Sequence, residues 1–409
     1  MTSRTSRRLD LVVFGATSFV GQILCRHLVD RHGTQGPLRW AIAGRNAAKL
    51  DQVALSTGAD VERIIVDAGD DAALAELAAA TRVVVSTVGP YALYGSPLVA
   101  AVAAAGTDYC DLTGEPQWMR AMIDAHSQAA RASGARIVHA CGFDSIPSDL
   151  GVWFTQQRAA ERFGQPCRRV DMRVQAMKGG ASGGTVASMV NLVAEAAHDR
   201  ELRRLLADPY ALAPPDLRVG PDQPDVVRPT RDAGTGQWLG PFVMAGVNTR
   251  VVHRSHALLG RPWGPDFRYR EATATGAGPL GAVKAGGLTA GVAAGTGLLA
   301  LGPVRNAAAR YVLPKPGDGP SAQAQERGFF DIRFRGTTAD GRTIDTSVTG
   351  DRDPGYGSTA KMLGEAAVAL VDLDPGRLDG GFWTPSTAFG DDLVERLEAH
   401  AGLRFEVLD

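Results

Sequence analysis

A glycine-bearing turn, Gly15-x-x-Ser18-x-x-Gly21, stands near the start of the 409-residue chain, directly after an apolar run at residues 9–14. Glycine at the first position permits a tight strand-to-helix bend, and glycine at the last lets the helix pack closely. The N–H groups at the helix start can then face a phosphate. Ser18 occupies the place of the usual middle glycine, so its side chain must accommodate or hydrogen-bond a pyrophosphate. Gly15, Thr17, Ser18, Phe19, Val20 and Gly21 are the candidate contacts. A second strand ends 24 residues beyond Gly21 in Ala43-Gly44-Arg45-Asn46. A carboxylate there would grip the ribose 2′-hydroxyl of NAD, whereas Arg45, with Asn46 and Lys49, suits the 2′-phosphate of NADP. NADP is the cofactor expected. Asp67, ending a third strand, could meet the adenine amino group or cap a helix. A fourth strand runs into Thr87, Val88, Gly89 and Pro90, a turn that belongs near the nicotinamide end of an extended dinucleotide.

Short β-branched runs at residues 9–14, 40–43, 63–66, 83–87, 107–110 and 137–140 alternate with helical patterns such as 20–30 and 115–133. That alternation predicts βαβ units and a doubly wound parallel sheet, a Rossmann fold over residues 1–150. Beyond it, Val170, Met172, Val174 and Ala176 alternate as in a half-buried strand, which empties into the loop 178–184 before a helix predicted to about residue 206. Lys178, Ser182 and Thr185 could line a substrate pocket, or the loop could be a plain turn capped by Thr185. Residues 207–235, crowded with proline and aspartate, read as an extended surface loop. Asp340-Gly341 between alternating runs marks an antiparallel hairpin at 329–350. That hairpin belongs to a second sheet. C-terminal helices over 351–409, the last at 393–403, are expected to pack back on the first domain.

Composition excludes several classes. Forty-three basic against 44 acidic residues leave a net charge of −1, which gives no field for nucleic acid. The four cysteines lack paired short spacing and the eight histidines are scattered, so neither a metal site nor a disulfide framework is expected. A reducing cytoplasm fits. Arg7 and Arg8 before an apolar run could imitate an export signal, but the run is only a strand long and passes into the glycine turn. Cys141 has only His139 nearby as a partner and is a poor candidate nucleophile.

Five motifs, GATSFVG (15–21), AGRNAAKL (43–50), STVGPYALYG (86–95), GTDYCDLTGE (106–115) and CGFDSIPSDLG (141–151), resemble the saccharopine dehydrogenase-like oxidoreductases. KGGASGGT (178–185), PGDGPS (316–321) and GYGSTAK (355–361) resemble more narrowly their trans-acting enoyl reductase branch. The resemblance covers most of the chain. It implies a Rossmann domain, a second α/β domain, here residues 151–350, built on a largely antiparallel sheet, and reduction of an enoyl intermediate carried on a separate polyketide synthase that makes a surface lipid. The Gly-x-Gly start of the lysine-pathway enzymes is missing, which argues against saccharopine as substrate. Enoyl reduction needs a proton for the α-carbon, and Tyr91 or Tyr94, on the turn expected near the nicotinamide, is the first candidate donor, with Lys178 second. Asp144 and Ser145 could bind ribose or substrate, and Ser148 or Asp149 could cap the following helix. An imine or carbonyl reductase and a non-catalytic NADPH-binding scaffold are the alternatives.

Residues 285–304 carry no charge and include Gly287-x-x-x-Gly291-x-x-x-Gly295. A helix of 20 residues would reach ~30 Å, the thickness of a bilayer core. Three readings stay open: a buried or homodimer-packing helix, a peripheral membrane contact on the inner face of the cell membrane, and a true span.

Overall fold

Strand β1 (Leu9–Phe14) is buried throughout, and Leu11, Val12 and Val13 have no exposure at all. A run apolar on both faces is what a central parallel strand requires. In chain order there follow β2 (Trp40–Gly44), β3 (Glu62–Ile65), β4 (Thr81–Ser86), β5 (Asp108–Asp111), β6 (Arg136–Val138) and β7 (Cys167–Lys178). Then come β8 (Thr230–Arg231), β9 (Gln237–Gly240), β10 (Arg268–Ala277), β11 (Phe329–Thr338), β12 (Thr343–Gly350), β13 (Gly381–Trp383) and β14 (Leu403–Leu408). These elements belong to a computed structural model that describes residues 7–180, 183–311 and 319–408.

The strands form two sheets. The first has the order β13-β6-β5-β4-β1-β2-β3, with every pairing parallel. It is the doubly wound sheet that the alternation of elements predicts, extended at one edge by β13. The chain moves outward from β1 through β2 to β3, then returns to β4 on the other side of β1, and this reversal opens a crevice at the carboxyl ends of the strands. The second sheet, β14-β12-β11-β7-β10-β9-β8, is antiparallel except between β7 and β10. Its hairpin sets Ile332 opposite Val348 and Phe334 opposite Thr346. Helix Ile146–Phe163 joins the sheets: Gly151 presses on the Phe334 ring so closely that a Cβ would stand 2.2 Å from it. That helix begins inside the expected first domain and runs on to cover the second sheet.

The C-terminal stretch differs from a purely helical reading. Helix Thr359–Asp372 packs against helix Phe19–His32, and the buried Glu365 bonds His27 at 2.9 Å. The last helix stops at His400, and Leu403, Phe405 and Val407 then alternate along β14, which pairs with β12. The helix expected to 206 is two helices, Gly183–His198 and Arg200–Ala207, broken where the Asp199 carboxylate accepts from the Glu201 and Leu202 N–H groups. Within 207–235, Ala211, Leu212 and Ala213 are buried, so that segment is anchored rather than purely superficial.

The uncharged run is not one 20-residue helix: it fills helix Gly278–Ala300 from residue 285 onward and continues into helix Gly302–Tyr311, the two meeting at 106°. No single described helix is long and apolar enough to cross a membrane. Inside, Arg136 pairs with Asp108, each side chain 3% exposed, and also donates to the carbonyls of Leu370 and Leu373, tying the C-terminal helix to the first sheet.

Candidate active site

Ser18 explains its own presence in the glycine turn. Its Oγ accepts from the Gly21 N–H at 2.9 Å, capping helix Phe19–His32, and lies 2.9 Å from Thr87 Oγ1, which donates to the Gly15 carbonyl at 2.8 Å. The side chain thus locks the loop to the end of β4. Gly15 has φ +87°, and a Cβ there would stand 2.6 Å from Val88 Cγ2. At Gly21 a Cβ would meet the Gly15 carbonyl oxygen at 2.5 Å, so this glycine serves contact between helix and loop. With the Gly21 N–H taken by the cap, the N–H groups of Phe19 and Val20 are left for an incoming anion. Both residues line the main cavity.

The end of β2 leaves Arg45, Asn46 and Lys49 exposed. The Asn46 side chain accepts from the Lys49 N–H at 2.9 Å and so caps helix Ala47–Thr57, which leaves Arg45 and the Lys49 ammonium as the cations there. Asp67 lies past β3 with its Oδ1 accepting from the Gly69 N–H, a local turn rather than a helix cap.

Across the crevice the Gly89–Pro90 peptide is cis, and Tyr91 opens a short helix whose Tyr91 and Ala92 N–H groups donate to the buried Glu115 carboxylate at 2.8 and 2.9 Å. Ser188, from helix Gly183–His198, donates to the same carboxylate at 2.6 Å. The Tyr91 hydroxyl donates to the Ser86 carbonyl at 3.0 Å and accepts from the Leu112 N–H at 3.4 Å. Burial first, then the nearby Asp111, pushes this phenol well above its ordinary range. Its proton is therefore held by main chain.

Between these walls lies a cavity of about 510 Å³. Ser18, Phe19, Val20, Thr87 and Gly89 line it together with the apolar side chains of Met189, Leu192, Val193, Leu206 and Leu299. Gly291, Val292 and Gly295 of the uncharged helix complete the apolar wall. Tyr356 closes a side by packing edge-on to Phe19 at 4.9 Å, and its hydroxyl accepts from the Gly183 N–H at 3.1 Å. Asp144 lines the cavity as well, half-buried, and burial pushes its carboxyl up to about 7.

Tyr94 and Lys178 do not reach the cavity. Tyr94 is 48% exposed on the far side of its helix turn, and Lys178 is an exposed strand residue opposite Phe329. Ser182 and residues 316–318 of the PGDGPS motif lie outside the described residues, as does the Thr185 side chain. Cys141 is fully buried with its thiol pushed well above its ordinary range by burial, while His139 bonds Asp111 at 2.7 Å.

No family model matches the sequence. A Mycobacterium tuberculosis protein whose designation as a trans-acting enoyl reductase is provisional is 42% identical over 409 residues, spanning 97% of this chain and 96% of its own. A trans-acting enoyl reductase of Mycobacterium ulcerans is 40% identical over 412 residues, with 97% of each chain covered. The chain belongs to the trans-acting enoyl reductase family. It is accordingly an oxidoreductase. The fold agrees with a solved saccharopine dehydrogenase (L-glutamate-forming) of Saccharomyces cerevisiae at a TM-score of 0.55, covering 98% of this chain and all of that one at 13% identity.

For a trans-acting enoyl reductase, the cavity gives the four-residue glycine spacing a place in the site and adds Ser188, close to Glu115. Gly291, Gly295 and Leu299 recur every four residues, the spacing of one helix face, and that period was available in the sequence. Ser188 and Glu115 offered no such signal, because their bond spans 73 positions between the two halves of the molecule.

Proposed function

We propose that this chain is an NADPH-dependent enoyl reductase that reduces a carbon–carbon double bond of an acyl chain held by a separate polyketide synthase, in surface-lipid biosynthesis. One observation carries the reading: a single cavity is lined both by the glycine-turn residues Ser18, Phe19 and Val20 and by the apolar side chains Met189, Leu192, Val193 and Leu299. The Phe19 and Val20 N–H groups would hold the pyrophosphate, with the Ser18–Thr87 bond fixing the loop beneath it. Arg45 and Lys49, with no carboxylate at the end of β2, favour a ribose 2′-phosphate. When bound, the dinucleotide supplies the hydride. The chain's own part is to orient the acyl group against it and to exclude water, which the apolar side chains of helices Gly183–His198 and Gly278–Ala300 do.

The outer face of the same uncharged helix supports a cytoplasmic enzyme resting on the inner membrane surface. Leu280 and Val283 near the helix start, Leu298 near its end and Leu301 just beyond it are exposed, and the cations Lys284 and Arg305 suit anionic headgroups. Leu298→Glu is expected to abolish co-sedimentation with anionic vesicles. Unchanged vesicle binding would refute the membrane contact, and a dimeric mass in solution that Leu298→Glu splits would assign these side chains to a second copy.

The deciding experiment is nicotinamide fluorescence with NADPH and NADH, on wild type and Arg45→Ala, followed by the mass of the product from an enoyl thioester. Preference for NADPH that collapses in the variant, with a gain of two hydrogens in the acyl chain, is expected. Binding of neither nucleotide would overturn the oxidoreductase mechanism in favour of a scaffold, and reduction of an imine or carbonyl alone would move the chemistry to carbon–nitrogen or carbon–oxygen bonds.

A further inference from the structure

We infer that Asp144 is the acid that delivers the proton to the α-carbon during enoyl reduction. The inference rests on the function proposed above and deepens it. β4, β5 and β6 end side by side at the crevice, and the segments that leave them bring Tyr91, Gly114 and Asp144 to one cavity. Gly114 is what gives the carboxyl its room: a Cβ there would come within 3.3 Å of Asp144 Oδ2 and 3.5 Å of Met244 Cε. The backbone carrying Asp144 is fixed from both sides. The Phe143 N–H donates to Thr359 Oγ1 at 3.0 Å, and Ser145 Oγ lies 2.9 Å from Asn248 Oδ1. An acid positioned by two neighbours bonded elsewhere, and itself turned into a cavity, is placed to act on a ligand rather than to hold the fold.

The surroundings keep it an acid at neutral pH. Among the described residues lining this cavity, Asp144 is accompanied by two phenols, Tyr91 and Tyr356, and by no lysine, arginine, histidine or second carboxyl. Glu115, behind the turn, is engaged by the Tyr91, Ala92 and Ser188 donors, and Asp149, one turn into the helix, is held by the Ser386 N–H at 2.8 Å and by Ser255. Desolvation thus acts without an opposing charge, raising the Asp144 carboxyl to about 7. Tyr91, by contrast, gives its proton to the Ser86 carbonyl.

The step balances. The hydride forms the new C–H bond at the β-carbon and oxidises the dinucleotide; the π pair moves onto the α-carbon, takes the Asp144 proton and forms the second C–H bond. The Asp144 O–H bond breaks, and the carboxylate recovers a proton from solvent.

The test uses the full-length chain, NADPH and trans-2-decenoyl-N-acetylcysteamine as the enoyl thioester. Wild-type kcat should fall as pH rises through about 7, where the acid ionises. Asp144→Asn should lower kcat by roughly 100-fold or more, abolish that inflection, and leave NADPH affinity by fluorescence within about threefold. Asp144→Glu, which restores the acid, should recover part of the rate and bring an inflection back. If wild type reduces the thioester but Asp144→Asn keeps its rate or its inflection, the assignment fails. A wild type that binds NADPH but reduces no enoyl thioester fails at the proposed function instead, and the inference goes with it. A matched melting temperature for wild type and both variants separates loss of the proton from loss of the fold.

Discussion

Replacing Gly21 with alanine tests whether the loop geometry creates the dinucleotide site. The added Cβ would stand 2.5 Å from the Gly15 carbonyl oxygen and 2.9 Å from both Ala16 Cα and Ser18 Oγ. Two of these neighbours are backbone and the third is the capping oxygen, so none can swing aside. Since non-bonded atoms settle near 3.5 Å, the loop must retreat by about 1 Å. Overpacking of this kind costs about 1–3 kcal/mol. The retreat also stretches the Ser18 bonds to Gly21 and Thr87, each worth about 1 kcal/mol. Displacing the Phe19 and Val20 N–H groups removes charge-assisted bonds of about 1.5–3 kcal/mol, which corresponds to NADPH binding weakened roughly 10- to 150-fold. Gly287→Ala is the control: a Cβ there meets nothing within 4 Å and sits inside a helix, where alanine is favoured by about 1 kcal/mol. Thermal unfolding and a nicotinamide fluorescence titration read both variants. A folded Gly21→Ala protein that binds NADPH as wild type does would refute the reasoning.

Arg136→Met should destabilise the protein by about 3–5 kcal/mol in urea, because it breaks the buried ion pair with Asp108 and frees the Leu370 and Leu373 carbonyls; a loss under about 1 kcal/mol would contradict this. Glu271, fully enclosed with Tyr269 and Asn248, is pushed from 4.5 to about 7 by burial, with its hydrogen bonds opposing. A raised carboxyl binds more protons folded than unfolded, so its contribution is full below about pH 4.5 and is lost as pH rises through about 7. The stability of Glu271→Gln relative to wild type should therefore rise by up to about 3 kcal/mol between pH 5 and pH 8, and a flat difference would refute it. Tyr91→Phe should cost about 1 kcal/mol of stability through the lost bond to the Ser86 carbonyl and keep the inflection near neutral pH in kcat. A folded Tyr91→Phe protein that binds NADPH but loses turnover would give the proton to the phenol.

The first sheet was legible because its signals are local: an apolar run, a glycine turn and a helical period lie within 30 residues of one another in each βα unit. Ser18 was readable as an oddity, yet its partner Thr87 lies 69 positions away and only the folded crevice brings them together. The strand at Leu403–Leu408 alternates plainly, but the preceding helical pattern runs into Leu403 and absorbs it when read by period alone. The uncharged helix is a different failure. With apolar or glycine residues on every side, it has no amphipathic signal to say which face turns inward, and that is decided by the helices it meets. Lys178 ends a strand beside a glycine-rich loop, where a catalytic lysine is plausible by pattern; pairing of β7 with β11 instead leaves it exposed.

Glu115 couples the crevice turn to the wall of the cavity. Its carboxylate takes two donors from the crevice turn and a third from Ser188, on the helix that walls the cavity. That helix cannot lift away without leaving a buried carboxylate one donor short, at a cost of about 1.5–3 kcal/mol. An opening that broke this bond and nothing else would be populated about one part in ten to one in 150, interconverting on the microsecond-to-millisecond timescale of collective motions. Ser188→Ala would raise that fraction, so entry of a bulky apolar chain would speed up, while the glycine turn at Gly15–Gly21, which this bond does not touch, would keep its affinity for a dinucleotide.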